Sequence, residues 1–220
     1  MRRLLDNGHR VVAVSRRASA LDPHPALERV NCDLAQPHAV RALAADLARR
    51  HSRIDLLINN AALQVGLPLT DPQFDPDTMV AETLINLVAP ALLAHGLISA
   101  LKAAEPGAAI VNLSSGLAYY PKRDTALYCA TKAGLHSFSQ SLRYQLEPIG
   151  IRVIEAILPL VATPMTAGRG SGKMDADAAA RAILAGIARE RREIHVGKAR
   201  MLPILIHIAP FIVRRMLKGG

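Results

Sequence analysis

Short apolar runs alternate along this chain with longer segments whose apolar residues recur at helical spacing. The strand-like runs are rich in Val, Ile and Leu and lie at residues 11–14, 29–32, 55–58, 109–113, 152–157 and 193–196. The helical segments cover residues 37–50, 78–103, 125–146 and 176–189. Strands with near-continuous apolar runs are typically buried on both faces, and their alternation with helices indicates a parallel sheet covered on both sides. The pattern predicts an α/β fold with a doubly wound parallel sheet in a single domain.

Composition bounds the function classes. A chain of 220 residues is long enough for one domain with a substantial core. The formal net charge is +9, but the arginines are scattered and only 3% of residues are aromatic, which leaves little for base stacking. We therefore expect no nucleic-acid binding. Cys32 and Cys129 lie far apart without metal-type spacing, so we predict no metal site and a reducing, cytoplasmic location.

The two ends of the chain bear on export and membrane insertion. The first residues are charged and break off at Asn7-Gly8 before any apolar core, so we predict no signal peptide. We recognise no run of the roughly 20 apolar residues that a spanning helix needs, the nearest being 202–213. We expect a main domain at 1–200 and a helical tail at 201–220. The tail is apolar and then basic, which indicates a helix packed on the domain or a weak contact with a membrane surface.

Polar residues follow most of the predicted strands. In parallel sheets of this kind, ligands bind beyond the carboxyl ends of the strands. The places to look are therefore Ser15-Arg16-Arg17, Asp33-Leu34, Asn59-Asn60-Ala61-Ala62, Ser114-Ser115 and the loop 159–163.

Tyr128 and Lys132 stand four positions apart in a predicted helix, which places them on one face. A tyrosine titrates near 10 and needs a stabilised phenolate to act as a base at neutral pH. Two unit charges about 4 Å apart interact by about 4 kcal/mol at an effective dielectric of about 20, enough to bring the pKa of a tyrosine close to neutral. The pair is therefore a candidate general acid/base, and the alternative is an ordinary surface pair.

Further polar motifs along the chain favour the catalytic interpretation of this pair over the surface pair. Asn59-Asn60-Ala61-Ala62, Asn86 and Ser115 precede it in order, and Tyr128 follows Ser115 by 13 positions. This set resembles the classical short-chain dehydrogenase/reductase family, whose members carry N-N-A-G after a strand, Asn in the next helix, Ser after the next strand and Tyr-x-x-x-Lys. The resemblance extends to about Gly197. The stretch from Val111 to Leu146 is also similar, more weakly, to an oxidoreductase subgroup associated with cell-envelope D-alanylation operons.

The resemblance implies a Rossmann-like fold and hydride transfer between a nicotinamide and a carbonyl or secondary alcohol. In this family pattern Tyr128 is the general acid/base and Ser115 holds the substrate oxygen, with Ser114 as the alternative. Lys132 lowers the pKa of the tyrosine and binds the nicotinamide ribose, and Asn86 anchors a water in a proton relay. The family also implies a homodimer or tetramer that pairs through the helices carrying Asn86 and Tyr128.

The cofactor preference is read from the end of the first predicted strand. Arg16 and Arg17 stand where NAD-selective members have an acidic residue, and arginine suits a 2′-phosphate. NADP is therefore expected rather than NAD, and the alternative for this pair is a solvated loop. The cofactor-binding residues that the resemblance implies are Arg16, Arg17, Asp33, Leu34, Asn60, Ala61, Tyr128, Lys132, Val161 and Thr163.

One family element is missing from the chain. The sequence has neither the first strand nor the T-G-x-x-x-G-x-G turn that holds the cofactor pyrophosphate. In the strand order 3-2-1-4-5-6 this strand is central, so we expect two unpaired edges, either closed by the neighbouring strands or left apart. We interpret the chain as N-terminally truncated or started too late. The rival function is a non-catalytic remnant, or a partner-binding protein, that has lost its nucleotide site.

Two smaller departures concern the substrate side. Pro159 replaces the glycine of the usual Pro-Gly, and Ala62 replaces the final glycine of N-N-A-G. The segment 167–175 is rich in glycine, which is consistent with a mobile lid over the substrate. Nothing in the sequence identifies that substrate.

Overall fold

The computed structural model describes residues 1–104, 106–208 and 211. Strands and helices alternate as the apolar pattern predicts. The strands are β1 (Val11–Ser15), β2 (Leu27–Asn31), β3 (Leu56–Asn59), β4 (Ala109–Ser115), β5 (Arg152–Leu158) and β6 (Glu193–His195). The helices are α1 (Arg2–Asp6), α2 (Pro37–Arg50), α3 (Asp77–Thr83), α4 (Ala89–Lys102), α5 (Ala126–Leu146), α6 (Ala176–Ala188) and α7 (Leu202–Ile208).

Strand β2 begins two residues before its predicted start. Glu28 interrupts the apolar run there, so the sequence pattern did not indicate that the strand begins at Leu27. Its carboxylate accepts a hydrogen bond from Arg50 at the end of α2, and the other oxygen lies 3.1 Å from His51 Nε2. A tertiary partner therefore accounts for the charged residue within the strand.

All strand pairs are parallel, but the described residues form two sheets rather than one. Strand β1 pairs with β2, and β3-β4-β5-β6 form the second sheet in that order. Both sheets rest on the same helical layer, because Val12 and Val14 of β1 and Leu57 of β3 pack against the core cluster of α2 and α4. The break lies between β1 and β3, where the sequence predicted two unpaired edges. Of the two expected outcomes, the strands stay apart.

The four-stranded sheet is covered on both faces. Ile110 and Val153 belong to the cluster that includes α2, α4 and the end of α5, whereas Val111 and Ile154 pack with α6. Successive residues of a strand point to opposite faces of the sheet. Neighbouring side chains of β4 and β5 therefore pack alternately against the helices on one face and on the other. This arrangement fixes α5 against the sheet and sets the direction of its first turns.

A close approach of α2 and α4 depends on Gly96. A Cβ added to this residue would lie 2.6 Å from the Cβ of Ala44. Contacts that short do not occur between real side chains, so the missing side chain lets the two helices meet.

The continuous helical run Asp77–Lys102 was not anticipated as membrane-like. By length and composition it could cross a membrane, contrary to the sequence-based expectation that no stretch would qualify. Leu93, Leu97 and Leu101 of this run are, however, buried in the main core cluster. A core helix of this type satisfies the same length and composition test.

The tail packs on the domain as far as it is described. Leu202 is buried in a cluster with Ile157 and Ala199, and a Cβ on Gly116 would come within 2.7 Å of Leu202 Cδ1. Ile204, Ile208 and the separate Phe211 are exposed. Residues 209–210 and 212–220, which include the basic end of the predicted tail, lie outside the described residues.

Candidate active site

The tyrosine and lysine of the sequence motif are buried together on the first turns of α5. Tyr128 is 8% exposed and Lys132 is 4% exposed. The Lys132 ammonium lies 5.6 Å from the centre of the Tyr128 ring and donates a hydrogen bond of 2.7 Å to the Leu113 carbonyl near the end of β4. The pair is therefore not an ordinary surface pair: a charged group this deep in a protein requires specific partners.

The pKa of Tyr128 moves in the opposite direction to the sequence-based expectation. Burial, together with the neighbouring Cys129 and Glu82, raises the pKa of this tyrosine to about 12, against the opposing effect of Arg169. Burial lowers the pKa of Lys132 to about 8, and Glu155 only partly offsets it. The expected lowering of the tyrosine pKa is not found, because burial is the largest effect on this phenol and the Lys132 ammonium bonds the Leu113 carbonyl instead. At neutral pH Tyr128 is therefore a protonated phenol.

Ser114 and Ser115 both stand at the carboxyl end of β4. Alternation places Ser114 on the same face as Asn112, toward α5, and its buried hydroxyl has no hydrogen-bond partner in the described part of the chain. Ser115 ends the strand, and its hydroxyl accepts a hydrogen bond of 3.2 Å from the Leu117 amide. That contact leaves the hydroxyl hydrogen of Ser115 free to be donated.

Asn86 lies in a π-helical turn, Leu84–Val88, between α3 and α4. Its amide oxygen accepts from the Leu63 amide at 2.8 Å, and its nitrogen donates to the Leu63 carbonyl at 2.8 Å and to Thr131 Oγ1 at 3.1 Å. Both amide hydrogens are thus used by protein partners. In this structure the side chain joins the loop after β3 to α5, and its role as the anchor of a water stays a prediction.

A buried polar network that the sequence reasoning missed supports the same region. Asn59 donates to Asn112 at 2.8 Å, Asn112 donates to Ser139 at 2.9 Å, and Ser139 donates to the Leu135 carbonyl at 2.7 Å. The chain of bonds joins β3, β4 and α5 beneath the tyrosine and lysine. Its signal in the sequence is Asn112, a polar residue inside an apolar run.

Two further charged residues beside the tyrosine were also missed. Glu82 is buried one helical turn before Asn86, and burial raises the pKa of its carboxyl, opposed by the Val65 amide and by Arg169. Arg169 comes from the loop between β5 and α6 and donates to the Gln64 carbonyl at 3.3 Å. Glu82 could have been found as a charge on an apolar helix. Arg169 carries no such signal, since it is one arginine among many.

The predicted cofactor residues lie at the carboxyl ends of the parallel strands. Arg16 and Arg17 are exposed just after β1, and Asn60 and Ala61 are exposed just after β3. Asp33, after β2, is half-buried and accepts from the Ala35 amide at 3.0 Å. The break between the two sheets separates the β1 and β2 group from the rest.

The remaining predicted contacts come from the loop after β5. Val161 bridges to Met174, and Thr163 forms a reciprocal cap with Thr166, whose hydroxyl accepts from the Thr163 amide at 3.0 Å. Pro159 does not prevent this loop from forming an ordered turn.

The family resemblance assigns these residues to the two ends of a dinucleotide. Exposed arginines suit a 2′-phosphate, and the buried lysine beside the tyrosine suits ribose hydroxyls. The order of strands and the position of these groups define a doubly wound α/β protein of the dinucleotide-binding type. No described residue supplies the glycine turn that would hold a pyrophosphate.

Comparison with known proteins agrees with this class. The sequence pattern of the short chain dehydrogenase family matches residues 1–173, and the chain belongs to that family. It is 34% identical over 166 residues to the uncharacterized oxidoreductase DltE of Bacillus subtilis, a match that covers 74% of this chain and 66% of that protein. It is 31% identical over 185 residues to a serine 3-dehydrogenase of Rhizobium radiobacter, covering 79% of this chain and 71% of the relative. The chain thus spans 66% of the length of the first relative and 71% of the second.

A solved structure shares the fold over almost the whole chain. It is a short chain dehydrogenase from Burkholderia cenocepacia in complex with NADP, with a TM-score of 0.87 and 27% identity. The match covers 98% of this chain and 90% of that chain. The predicted Rossmann-like fold and the family resemblance are both confirmed.

Proposed function

We propose that this protein is an NADP-dependent oxidoreductase that transfers a hydride between a nicotinamide and a carbonyl or secondary alcohol. The observation that carries the proposal is the burial of Tyr128 and Lys132 together, with the Lys132 ammonium bonded to the Leu113 carbonyl near the carboxyl end of β4, the strand that ends at Ser115. Burying a phenol and an ammonium costs free energy. Such buried groups are typical of binding and catalytic sites and are rare in hydrophobic cores.

The protonation of Tyr128 supports a role in reduction. A bound reduced nicotinamide supplies a hydride to the carbonyl carbon. Tyr128, a neutral phenol whose pKa is about 12, donates its proton to the carbonyl oxygen, and Ser115 donates a hydrogen bond to the same oxygen. Lys132, whose pKa is about 8, presents an ammonium on the ring side that stabilises the phenolate left behind.

The preference for NADP rests on Arg16 and Arg17. Two exposed guanidinium groups follow β1 directly, and a 2′-phosphate pairs with arginine through charge-assisted hydrogen bonds. A related structure is described as a complex with NADP, which agrees with this preference. The remaining assignments are Asp33 and Leu34 for the adenine, Asn60 and Ala61 after β3, and Val161 and Thr163 for the carboxamide.

The break between β1 and β3 bears on phosphate binding. We propose that a further strand, followed by a glycine-rich turn, pairs with the open edges of these two strands. Sequencing the DNA just upstream tests this proposal. The proposal predicts that this DNA encodes, in the same reading frame, a β-strand followed by T-G-x-x-x-G-x-G. If no such segment is encoded, the proposal is contradicted. The rival function, a remnant that binds a partner without a nucleotide, rests on the same break.

NADPH titration separates the two functions. Enhanced NADPH fluorescence on binding supports the oxidoreductase. A flat titration of both residues 1–220 and a form extended at its N-terminus supports the remnant. The double variant Arg16→Gln, Arg17→Gln should weaken NADPH binding by about tenfold or more and leave NADH binding nearly unchanged, since each charge-assisted bond contributes about 1.5–3 kcal/mol. Equal loss for both cofactors would contradict the assignment of these arginines.

Two partner assignments complete the proposal. We place the protein in the cytoplasm as a homodimer or tetramer, with an apolar groove between α4 and α5, lined by Leu92 and Phe138 among others, as the pairing surface. Light scattering tests the assembly, and a monomer at micromolar concentration contradicts it.

Exposed Ile204 and Ile208 support a weak contact of the tail with membranes, which pelleting with anionic vesicles tests.

A further inference from the structure

A carboxylate is buried in the centre of the four-stranded sheet, on the face that α5 covers. Glu155 of β5 is 0% exposed, and its Oε2 lies 2.7 Å from Nδ1 of His136 on α5. Its strand partner in β4 is Asn112, which also bonds α5. Oε1 of Glu155 has no hydrogen-bond partner among the residues that the structure describes. Such a buried carboxylate is costly unless a positive charge lies near it.

His136 orients this carboxylate and, as bonded in the structure, adds no positive charge. The amide nitrogen of Gln140 lies 3.1 Å from His136 Nε2, and an amide nitrogen can only donate. Nε2 therefore accepts, and Nδ1 carries the hydrogen that is donated to Glu155. The imidazole bonded in this way is neutral, so Glu155 keeps its negative charge.

The other titratable groups around this carboxylate do not compensate it. They are Glu193 and His195 of β6, Tyr119 after β4 and Arg143 of α5. Glu193 is itself acidic. Burial lowers the pKa of His195 and raises the pKa of Tyr119, so both are neutral near pH 7. Arg143 donates instead to the Val153 carbonyl at 3.0 Å.

Lys132 supplies a buried positive charge on the same face of α5. It lies one helical turn before His136, about 6 Å along the axis, and its ammonium donates to the Leu113 carbonyl at 2.7 Å. The strand partner of Leu113 is Ala156, the residue after Glu155. Since neighbouring strands lie about 5 Å apart, the ammonium and the carboxylate lie within about 10 Å of each other, between α5 and the sheet. The same carboxylate raises the pKa of Lys132 against the effect of burial.

We propose, building on the oxidoreductase function above, that Glu155 is a positioning residue whose buried carboxylate, oriented by His136, keeps the Lys132 ammonium charged in the candidate active site. Glu155 acts on the reaction through Lys132. A charged Lys132 stabilises the phenolate that Tyr128 leaves after donating its proton, whereas a neutral amine does not.

The arrangement also sets the pH range in which Glu155 supports the lysine. The bond to Glu155 raises the pKa of His136, opposed by burial and by Arg143. Below that pKa the protonated imidazole neutralises the carboxylate, so the support for Lys132 is greatest above it.

Carbon-13 NMR of the Lys132 side chain, assigned with Lys132→Met, measures its charge without substrate or cofactor. The pKa of Lys132 is about 8 in the unsubstituted protein. At an effective dielectric of about 20, unit charges about 10 Å apart shift each other's pKa by about one unit. Glu155→Gln keeps the size of the side chain and removes its charge, so the Lys132 titration should move to lower pH by about one unit.

Two further variants are the controls for this titration. Glu155→Asp keeps the charge and should leave the Lys132 titration within about half a unit of the unsubstituted protein. Glu147→Gln removes an exposed carboxylate just beyond the end of α5 and should leave the titration unmoved, because solvent and salt screen an exposed charge.

The pH profile of turnover gives the functional readout. Reduction of benzaldehyde by NADPH should slow as pH rises through about 8, where Lys132 loses its proton. In Glu155→Gln this fall should occur about one pH unit lower, with rates on the acid side within about threefold of the unsubstituted protein. A loss of activity that is equal at every pH contradicts the positioning role.

A reciprocal measurement needs no substitution at Glu155. In the unsubstituted protein, the Cδ signal of Glu155 should show an inflection at the pH where Lys132 titrates, and this decides the matter if Glu155→Gln fails to fold. The positioning role is overturned if that inflection is absent, or if Lys132 titrates at the same pH in Glu155→Gln. NADPH binding with an unshifted titration removes only this role. A shifted titration without NADPH binding removes only the oxidoreductase function.

Discussion

Replacing Lys132 by methionine should stabilise the fold while it removes the candidate catalytic function. Lys132 is buried, and its pKa falls from the ordinary 10.5 to about 8 through burial. At about 1.4 kcal/mol per tenfold, this lowering corresponds to a penalty of about 3 kcal/mol for holding the ammonium in the folded protein. The hydrogen bond to the Leu113 carbonyl returns about 1.5–3 kcal/mol. Methionine has a similar length and no charge, so we expect Lys132→Met to gain about 1 kcal/mol at pH 7, the part that this bond does not offset.

The pH dependence gives the sharper test. The folded-state pKa of Lys132 is lower than its unfolded value, so the unfolded chain binds the extra proton between about pH 8 and 10.5. This group therefore makes the unsubstituted protein more stable as pH rises through that window. The advantage of Lys132→Met should be greatest below about pH 8 and should fall by about 3 kcal/mol through the window, so that above about pH 10.5 the unsubstituted protein is the more stable by about 2 kcal/mol, the contribution of the hydrogen bond to Leu113.

Urea denaturation at pH 7, 8, 9 and 10 measures the difference, and Lys102→Met, an exposed lysine at the end of α4, is the control. The control should show no pH-dependent gain. A variant that is less stable than the unsubstituted protein at pH 7, or a difference that stays flat with pH, would refute the reasoning from burial.

Three other substitutions test particular contacts. Tyr128→Phe should abolish turnover and leave NADPH binding within about twofold, because the lost hydroxyl is needed only for proton transfer; retained turnover excludes Tyr128 as the acid/base. Gly96→Ala should lower the free energy of unfolding by about 1–2 kcal/mol, since overpacking against Ala44 at 2.6 Å exceeds the helix-propensity gain of about 1 kcal/mol. Asn112→Ala should cost about 2–4 kcal/mol in urea denaturation, because it strips two buried partners of their hydrogen bonds; an unchanged midpoint would contradict a role for this network.

Hydrophobic periodicity predicted the strands and helices, because a strand buried on both faces appears in the sequence as a run of mostly apolar residues. The run at β4 is apolar except for Asn112, that at β5 is apolar except for Arg152 and Glu155, and both strands lie in the centre of their sheet. β2 lies at an edge, where Glu28 finds a partner in Arg50, so its pattern was blurred. The edge strands β1, β3 and β6 were placed within one residue, so the charge of Glu28, rather than the edge position itself, blurred the start of β2.

The site was predicted only in part, for a different reason. Spacing along one helix places Tyr128 and Lys132 on one face but says nothing about depth, and depth is what raises the pKa of the tyrosine. Arg169 contacts Gln64, 105 positions away in the sequence, so no local pattern could pair them. Asn86 was found, but the bonds that occupy its amide depend on how the loop after β3 folds back.

The break between β1 and β3 makes this chain resemble the larger fragment in a protein-complementation pair. Each strand offers a row of backbone donors and acceptors in parallel orientation, and both rows rest on the common layer of α2 and α4. An added parallel strand would meet hydrogen-bonding groups on both rows. The fold would then be assembled from two molecules, and cofactor binding would report the assembly.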